Sequence, residues 1–281
     1  MTGDFDPPVT AVADAVRQAL AEDLGNLGDL TTLAIIPADV DGHALFVARA
    51  AGVLAGTAAA TEVYGYLDPA VSVDWQAADG DELAPGQVLG TVAGNLRSIL
   101  TGERSALNFL GHLSGVATLT RAYVAAAGRD RTLIRDTRKT TPGLRALEKA
   151  AVRAGGGVNH RGSLSDAVLV KDNHLRWCPI ADAVARARAR WPGVTVEVEC
   201  DSLDQVSEAK AAGADLVLVD NMTPAQVAEA VAVLGGSAPV EVSGGVTLDT
   251  VAAYAAAGAD LVSVGALTHS APVLDIALDL D

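Results

Sequence analysis

Six short apolar runs, each followed by a helix-like segment, constrain this chain more than any other feature. They are TLIRDTRK (132–139), DAVLVKDN (166–173), VTVEVEC (194–200), ADLVLVDN (214–221), PVEVSGG (239–245) and ADLVSVGA (259–266). Short runs of aliphatic and β-branched residues between turn signals read as buried strands. The intervening helices carry their own punctuation. Thr141-Pro142 predicts an N-cap with proline at the first helical position. Ser202 with Gln205, and Thr223-Pro224 with Gln226, have capping-box spacing. Gly155, Gly213, Gly235 and Gly258 stand where C-caps are expected. The heptapeptide AAGADLV occurs at 211–217 and again at 256–262, each time as helix end, turn and strand start. Such units wind by right-handed crossovers into a parallel sheet. The expected fold class is α/β; such a sheet can stay open or curl into a barrel, and the reading favoured is a TIM-like α/β barrel, incomplete because eight full units are not visible.

Upstream the rhythm differs. A helix is expected over about 10–22, followed by the Gly/Asp-rich loop EDLGNLGDLTT. GHALFVARAAGVLAG and VSVDWQAADGDELAPGQVLGTVAG cluster strand formers around the turns Asp79-Gly80 and Pro85-Gly86, which predicts a small sheet. One or two helices follow over 96–128. The expected division is residues 1–110 and residues 111–281.

The chain is acidic, with a formal charge of −15 over 281 residues, but the charge is uneven. From Arg129 to Arg176 there are eleven Arg/Lys against five Asp/Glu, a local balance of +6, while the rest carries nine against thirty. An acidic body argues against general nucleic-acid binding. One basic segment within it fits a pocket for a small, highly charged anion. The two cysteines, Cys178 and Cys200, make no disulfide framework and point to a reducing cytoplasm. No Cys/His cluster has zinc-ligand spacing. No membrane span and no signal peptide are expected.

Chemistry in such folds gathers beyond the carboxyl ends of the strands. Read in order, those ends supply Arg138-Lys139, Lys171, Glu199, Asp220, Ser243-Gly244-Gly245 and Gly265. Lys171 follows AVLV, so three readings stand side by side. It binds an anion or handles a proton, it snorkels or pairs with a structural acid, or it forms a Schiff base. Glu197 and Glu199 share one face of a strand. Glu199 with Asp220 suits ribose hydroxyls or a magnesium ion, and equally an internal ion pair with the basic residues. Gly155–Gly157 precede His160 and Arg161, and permit a close approach to a ligand or simply end a helix. The glycine-rich SGGV and VGALTHS loops can offer backbone N–H groups to a phosphate, with His269 nearby. Arg135 and Asp136 are expected to pair within the barrel.

Taken together, EDLGNLGDLTT, GERSALNFLGHLSGVATLT, RDTRKTTPGLRALEKAAVRAGGGVNHRGSLSD, LVKDNH, EVEC, LVLVDNM, EVSGGV and SVGALTHS resemble the nicotinate-nucleotide pyrophosphorylase (carboxylating), or quinolinate phosphoribosyltransferase, family over about 22–270. The resemblance implies an N-terminal α/β sandwich domain ahead of the incomplete barrel, with a C-terminal tail that packs back on it. It implies that the barrel is open as well as incomplete, and it implies a homodimer, open to higher assembly, with sites shared between protomers and Arg104 donated across the dimer. Arg138, Lys139, His160, Arg161 and Lys171 would surround quinolinate and phosphate groups. Glu199 and Asp220 would address the ribose and the magnesium–pyrophosphate end, as candidate Mg2+ ligands. Ser243, Gly244, Gly265 and His269 would hold a phosphate. The reaction implied joins quinolinate and phosphoribosyl pyrophosphate into nicotinate mononucleotide, pyrophosphate and CO2, with Lys139, Lys171, Glu199 and Asp220 as its catalytic set. Three other readings are set against it: a relative that uses another ring acid without decarboxylation, a Schiff-base aldolase built on Lys171, and an anion sensor without turnover.

Overall fold

The computed structural model describes residues 6–128 and 132–280; residues 129–131, which open the basic segment, lie outside them. The chain forms two compact units, one of Met1–Arg121, Thr140–Gly156 and Leu267–Asp281, the other of Ala122–Lys139 and Gly157–Ala266.

The chain opens with α1 (Val9–Leu24), α2 (Leu30–Ile35), β1 (Asp41–Ala48), β2 (Gly52–Val53), α3 (Thr57–Leu67), β3 (Ser72–Trp75), β4 (Glu82–Leu83), β5 (Val88–Asn95) and α4 (Leu96–Ala127). α2 begins inside the segment expected to be a loop, residues 22–32, and runs past its end. It forms because Asp29 accepts the Thr32 backbone N–H at 2.9 Å, which caps its first turn. α4 is one unbroken helix that runs through residue 110, where the sequence places the domain boundary.

The chain continues with β6 (Leu133–Arg135), α5 (Arg145–Ala154), β7 (Val168–Val170), α6 (Asp172–Leu175), α7 (Ile180–Arg190), β8 (Val196–Cys200), α8 (Leu203–Ala212), β9 (Leu216–Asp220), α9 (Pro224–Leu234), β10 (Val240–Ser243), α10 (Val251–Ala256), β11 (Leu261–Ser263), α11 (Ala266–His269) and β12 (Ile276–Leu280).

In the first unit the sheet order is β12-β1-β5-β3, antiparallel throughout. The C-terminal strand pairs with β1 from Ala44↔Leu280 to Ala48↔Ile276. Phe46 is fully buried and stacks on Trp75 at 4.9 Å between ring centres. Burying an aromatic ring of this size contributes a few kcal/mol at about 25 cal/mol per Å2.

The second unit carries a six-stranded parallel sheet in the order β6-β11-β10-β9-β8-β7. Val196, Val198, Val217, Val219, Val240 and Val242 are all buried, as strands covered on both faces require. β6 and β7 stand at opposite ends of this order, so the sheet is open. Beside β6 a single parallel bridge joins Arg135 to Val158. Each of the six apolar runs contains one of these strands.

The cap signals hold at two helices and fail at a third. Ser202 accepts the Gln205 N–H, and Thr223 with Gln226 forms a capping box before Pro224. Thr141-Pro142 does not start α5, which begins at Arg145. The Leu144 N–H donates to Thr141 O at 3.0 Å, so residues 141–144 form a turn ahead of the helix, and the Thr141 N–H reaches the buried carboxylate of Glu148 at 3.1 Å.

Candidate active site

The parallel sheet delivers its charged residues to the carboxyl ends of the strands. Ser243 is in register with Asp220, and Ser263 with Arg135. Beyond β7 the Lys171 ammonium is ion-paired with the Glu199 carboxylate of β8, the pairing that the sequence left open. Asp172, Glu199, Asp201, Gln205, Asp220 and Asn221 line a cavity of about 480 Å3. Its donors are carboxylate and amide oxygens, the ligand type that hard divalent cations take.

Asn221 sits in the left-handed region at φ 57°, which asparagine tolerates better than most residues. Its backbone N–H donates to Ser243 O at 2.9 Å, and its side-chain amide donates to Asp220 Oδ2 at 2.7 Å. Gly244 packs against it at φ +95°, where an added Cβ would lie 2.3 Å from Asn221 Oδ1. Two adjacent loops thus fix the Asp220 carboxylate.

At the other side of the sheet Arg135 is ion-paired with the buried Glu241, as the internal pairing of Arg135 anticipated. Glu241 also accepts from the Ser263 hydroxyl. Asp136 is fully buried and accepts from Asn159 Nδ2 at 2.6 Å and from the His160 backbone N–H at 2.8 Å. Burial first, and the neighbouring Glu197 second, push the Glu241 carboxyl above its ordinary range, with Arg135 pulling against them. The ligand atoms of His160, Glu197 and Glu241 lie within 4.8 Å of one another. The Arg135 guanidinium on Glu241 offsets one of the two carboxylates, and the His160 ring lies between them.

Arg161 donates to Ala167 O at 3.0 Å, which anchors its guanidinium in the loop ahead of β7. Burial first, and the charge of Arg138 second, hold Arg161 below its ordinary pKa. Arginine nevertheless stays charged. Two guanidinium groups close enough to repel each other favour an anion between them. Lys139 is exposed, and its backbone N–H donates to Thr137 Oγ1 at 3.0 Å.

The second unit therefore holds Arg138, Lys139, His160, Arg161, Lys171, Glu199, Asp220, Ser243, Gly244 and Gly265. Arg104 and His269 belong to the first unit. Arg104 is exposed on α4, and His269 Nδ1 lies 2.7 Å from Ser270 Oγ. His160, expected among the residues around the substrate, has both ring nitrogens facing protein groups, Glu197 Oε2 at 3.2 Å and the Arg161 N–H at 2.7 Å. Glu241 and Asn221 escaped the sequence reading. Glu241 stands two residues before Ser243 on one strand, so the period-2 rule places both on one face and could have flagged it.

The profile of quinolinate phosphoribosyl transferase, N-terminal domain, matches residues 29–114, and that of the C-terminal domain matches residues 116–279. A nicotinate-nucleotide pyrophosphorylase [carboxylating] of Mycobacterium leprae is 45% identical over 279 residues, covering 96% of this chain and 97% of that protein. The probable nicotinate-nucleotide pyrophosphorylase [carboxylating] of Bacillus subtilis is 42% identical over 261 residues, covering 92% and 90%. The solved structure of NadC from Streptococcus pyogenes superposes with a TM-score of 0.94 at 43% identity, covering 98% of each chain.

Proposed function

Because the chain belongs to the quinolinate phosphoribosyltransferase family, we propose that it transfers the phosphoribosyl group of phosphoribosyl pyrophosphate to the ring nitrogen of quinolinate, releasing pyrophosphate and CO2. The product is nicotinate mononucleotide, a step of NAD biosynthesis, and the enzyme is a decarboxylating pentosyltransferase. The observation that carries this reading is the segregation of charge on one sheet. Cations on the loops after β6 and before β7 suit a ring dianion, and the acid-lined cavity at β8 and β9 suits a sugar and a metal.

Arg138 and Arg161 take the two carboxylates, since each guanidinium makes paired, charge-assisted bonds to a planar anion. Lys139 adds a third cation. This fixes the ring so that its nitrogen faces the anomeric carbon, and the rate gain comes from orientation and electrostatics, without an enzyme nucleophile. Glu199 and Asp220 address the ribose hydroxyls, with Lys171 holding Glu199 in place. The same two carboxylates suit a magnesium ion, partly through water or pyrophosphate, and the ion would supply charge neutralisation at the leaving group. Ser243, Gly244 and Gly265 hold the 5-phosphate through backbone N–H groups and a hydroxyl.

Once the ring nitrogen is alkylated it is positive. The bond from ring carbon 2 to its carboxylate then breaks with the electron pair left on the ring, CO2 departs, and a proton takes its place. Lys139 or Lys171 stabilises the charge that develops. The working unit is a homodimer in which Arg104 enters the partner's site, and the setting is the cytoplasm.

The test is substrate choice. Purified protein with magnesium and phosphoribosyl pyrophosphate should turn over quinolinate and leave nicotinate untouched. Nucleotide formed from nicotinate, without CO2, would replace this reading with the non-decarboxylating one.

A further inference from the structure

His160 has a partner for each ring nitrogen. Nδ1 receives the backbone N–H of Arg161 at 2.7 Å. A backbone amide only donates, so Nδ1 contributes its lone pair and carries no proton. Nε2 lies 3.2 Å from Glu197 Oε2 and 3.6 Å from Glu241 Oε1. Carboxylates on that side call for an N–H. The ring thus carries one proton, on Nε2.

We propose that His160 is a positioning residue and not a cation that touches the substrate. Held as the Nε2–H tautomer between the Glu197 carboxylate and the Arg161 amide, it fixes the backbone from which the Arg161 guanidinium reaches its anion. Naming quinolinate as that anion rests on the reaction proposed above; the tautomer does not.

The groups facing the residue from each element agree. From the end of β6, Asp136 accepts the His160 backbone N–H, and Arg135 neutralises Glu241. From β8 comes Glu197, and from β10 Glu241. From β11 the Ser263 hydroxyl donates to Glu241. Arg138 and Arg161 supply the positive charge nearby. Only 7% of the His160 side chain is accessible, so little of it can meet a ligand. A proton on Nδ1 would set two N–H groups against each other at 2.7 Å and leave the Arg161 amide without its acceptor.

The test uses the intact protein, labelled with nitrogen-15 and free of substrate, in a nuclear magnetic resonance experiment at neutral pH. Coupling through the hydrogen bond from the Arg161 amide identifies the His160 ring without any substitution. One protonated nitrogen, Nε2, and one bare nitrogen, Nδ1, are expected. A doubly protonated ring, or a proton on Nδ1, would overturn the proposal. The spectrum is read without substrate, so it stands or falls separately from turnover.

Kinetics give a second readout. His160→Asn retains an acceptor near the Nδ1 position, whereas His160→Lys supplies a cation and no acceptor. The lysine variant should raise KM for quinolinate about tenfold or more and the asparagine variant less. A lysine variant that outperforms the asparagine variant would restore the cationic role and reject positioning.

Discussion

The ammonium of Lys171 is ion-paired with the carboxylate of Glu199, joining the loop after β7 to the end of β8. The pair ties a cation proposed for catalysis to an acid proposed for the ribose. Lys171→Ala should therefore lower kcat by on the order of 10²–10³, as removal of a preorganised charge does elsewhere. Thermal unfolding of Lys171→Ala, Glu199→Ala and the double variant should give a coupling of about 0.5–3 kcal/mol. Strict additivity would show that the contact contributes nothing to the fold.

The Asp220 carboxylate is set by Asn221, and Asn221 is packed by Gly244. Gly244→Ala puts a methyl where Asn221 Oδ1 stands, at a φ that suits glycine. The strain should amount to about 1–3 kcal/mol. Steady-state kinetics should show a higher KM for the sugar donor and a higher magnesium requirement. An unchanged magnesium dependence in this variant and in Asn221→Ala would separate the loop from the metal. Removal of divalent cations from the wild type should stop turnover, and magnesium should restore it.

Glu241 has its pKa raised above the ordinary carboxylate value of 4.5, by burial first. The folded state therefore holds a proton that the unfolded state releases. The stability gained is fully present below pH 4.5 and is lost as pH rises through the raised pKa. Chemical denaturation of the wild type and Glu241→Gln across this range should show the wild type losing ground steadily as pH increases. A difference that stays flat, or widens in the wild type's favour, would contradict the assignment.

Cys200 is fully buried on β8, and burial pushes its thiol up to about 12. Cys178 is partly exposed. At pH 8 an alkylating reagent should label only Cys178 in the folded protein and both thiols after unfolding, counted by mass spectrometry. Labelling of Cys200 at the rate of Cys178 would show that β8 opens.

Arg104 is exposed on α4, so Arg104→Ala should fold normally by circular dichroism yet lose turnover. Mixed with Lys171→Ala under subunit exchange, it should recover part of the activity through one intact site per hybrid. No recovery despite proven exchange would reject the shared site.

The architecture was legible where it rests on local pattern. All six strands lie within the apolar runs because buried parallel strands leave an unbroken aliphatic signature. Ser202 and Thr223 cap as read, since the acceptor and donor lie three residues apart. Thr141 misled because residues 141–144 first close a turn, its N–H held by Glu148, a buried carboxylate seven residues on, and the helix starts only at Arg145. The rim residues were found by reading strand ends, but their partners were not. Arg135 meets Glu241 across 106 residues, a contact that topology creates and periodicity does not record. His160 was noticed as half of a His-Arg pair ahead of β7, and the two neighbours that hold its ring, one of them a backbone amide, leave no mark in the sequence pattern.

The central claim is that quinolinate is both ribosylated and decarboxylated on this sheet. The most direct measurement follows quinolinate labelled with carbon-14 in the 2-carboxylate, with phosphoribosyl pyrophosphate and magnesium. The account predicts labelled CO2 released in equal amount to the nicotinate mononucleotide and pyrophosphate formed. Label retained in the nucleotide, or no nucleotide at all, would contradict it.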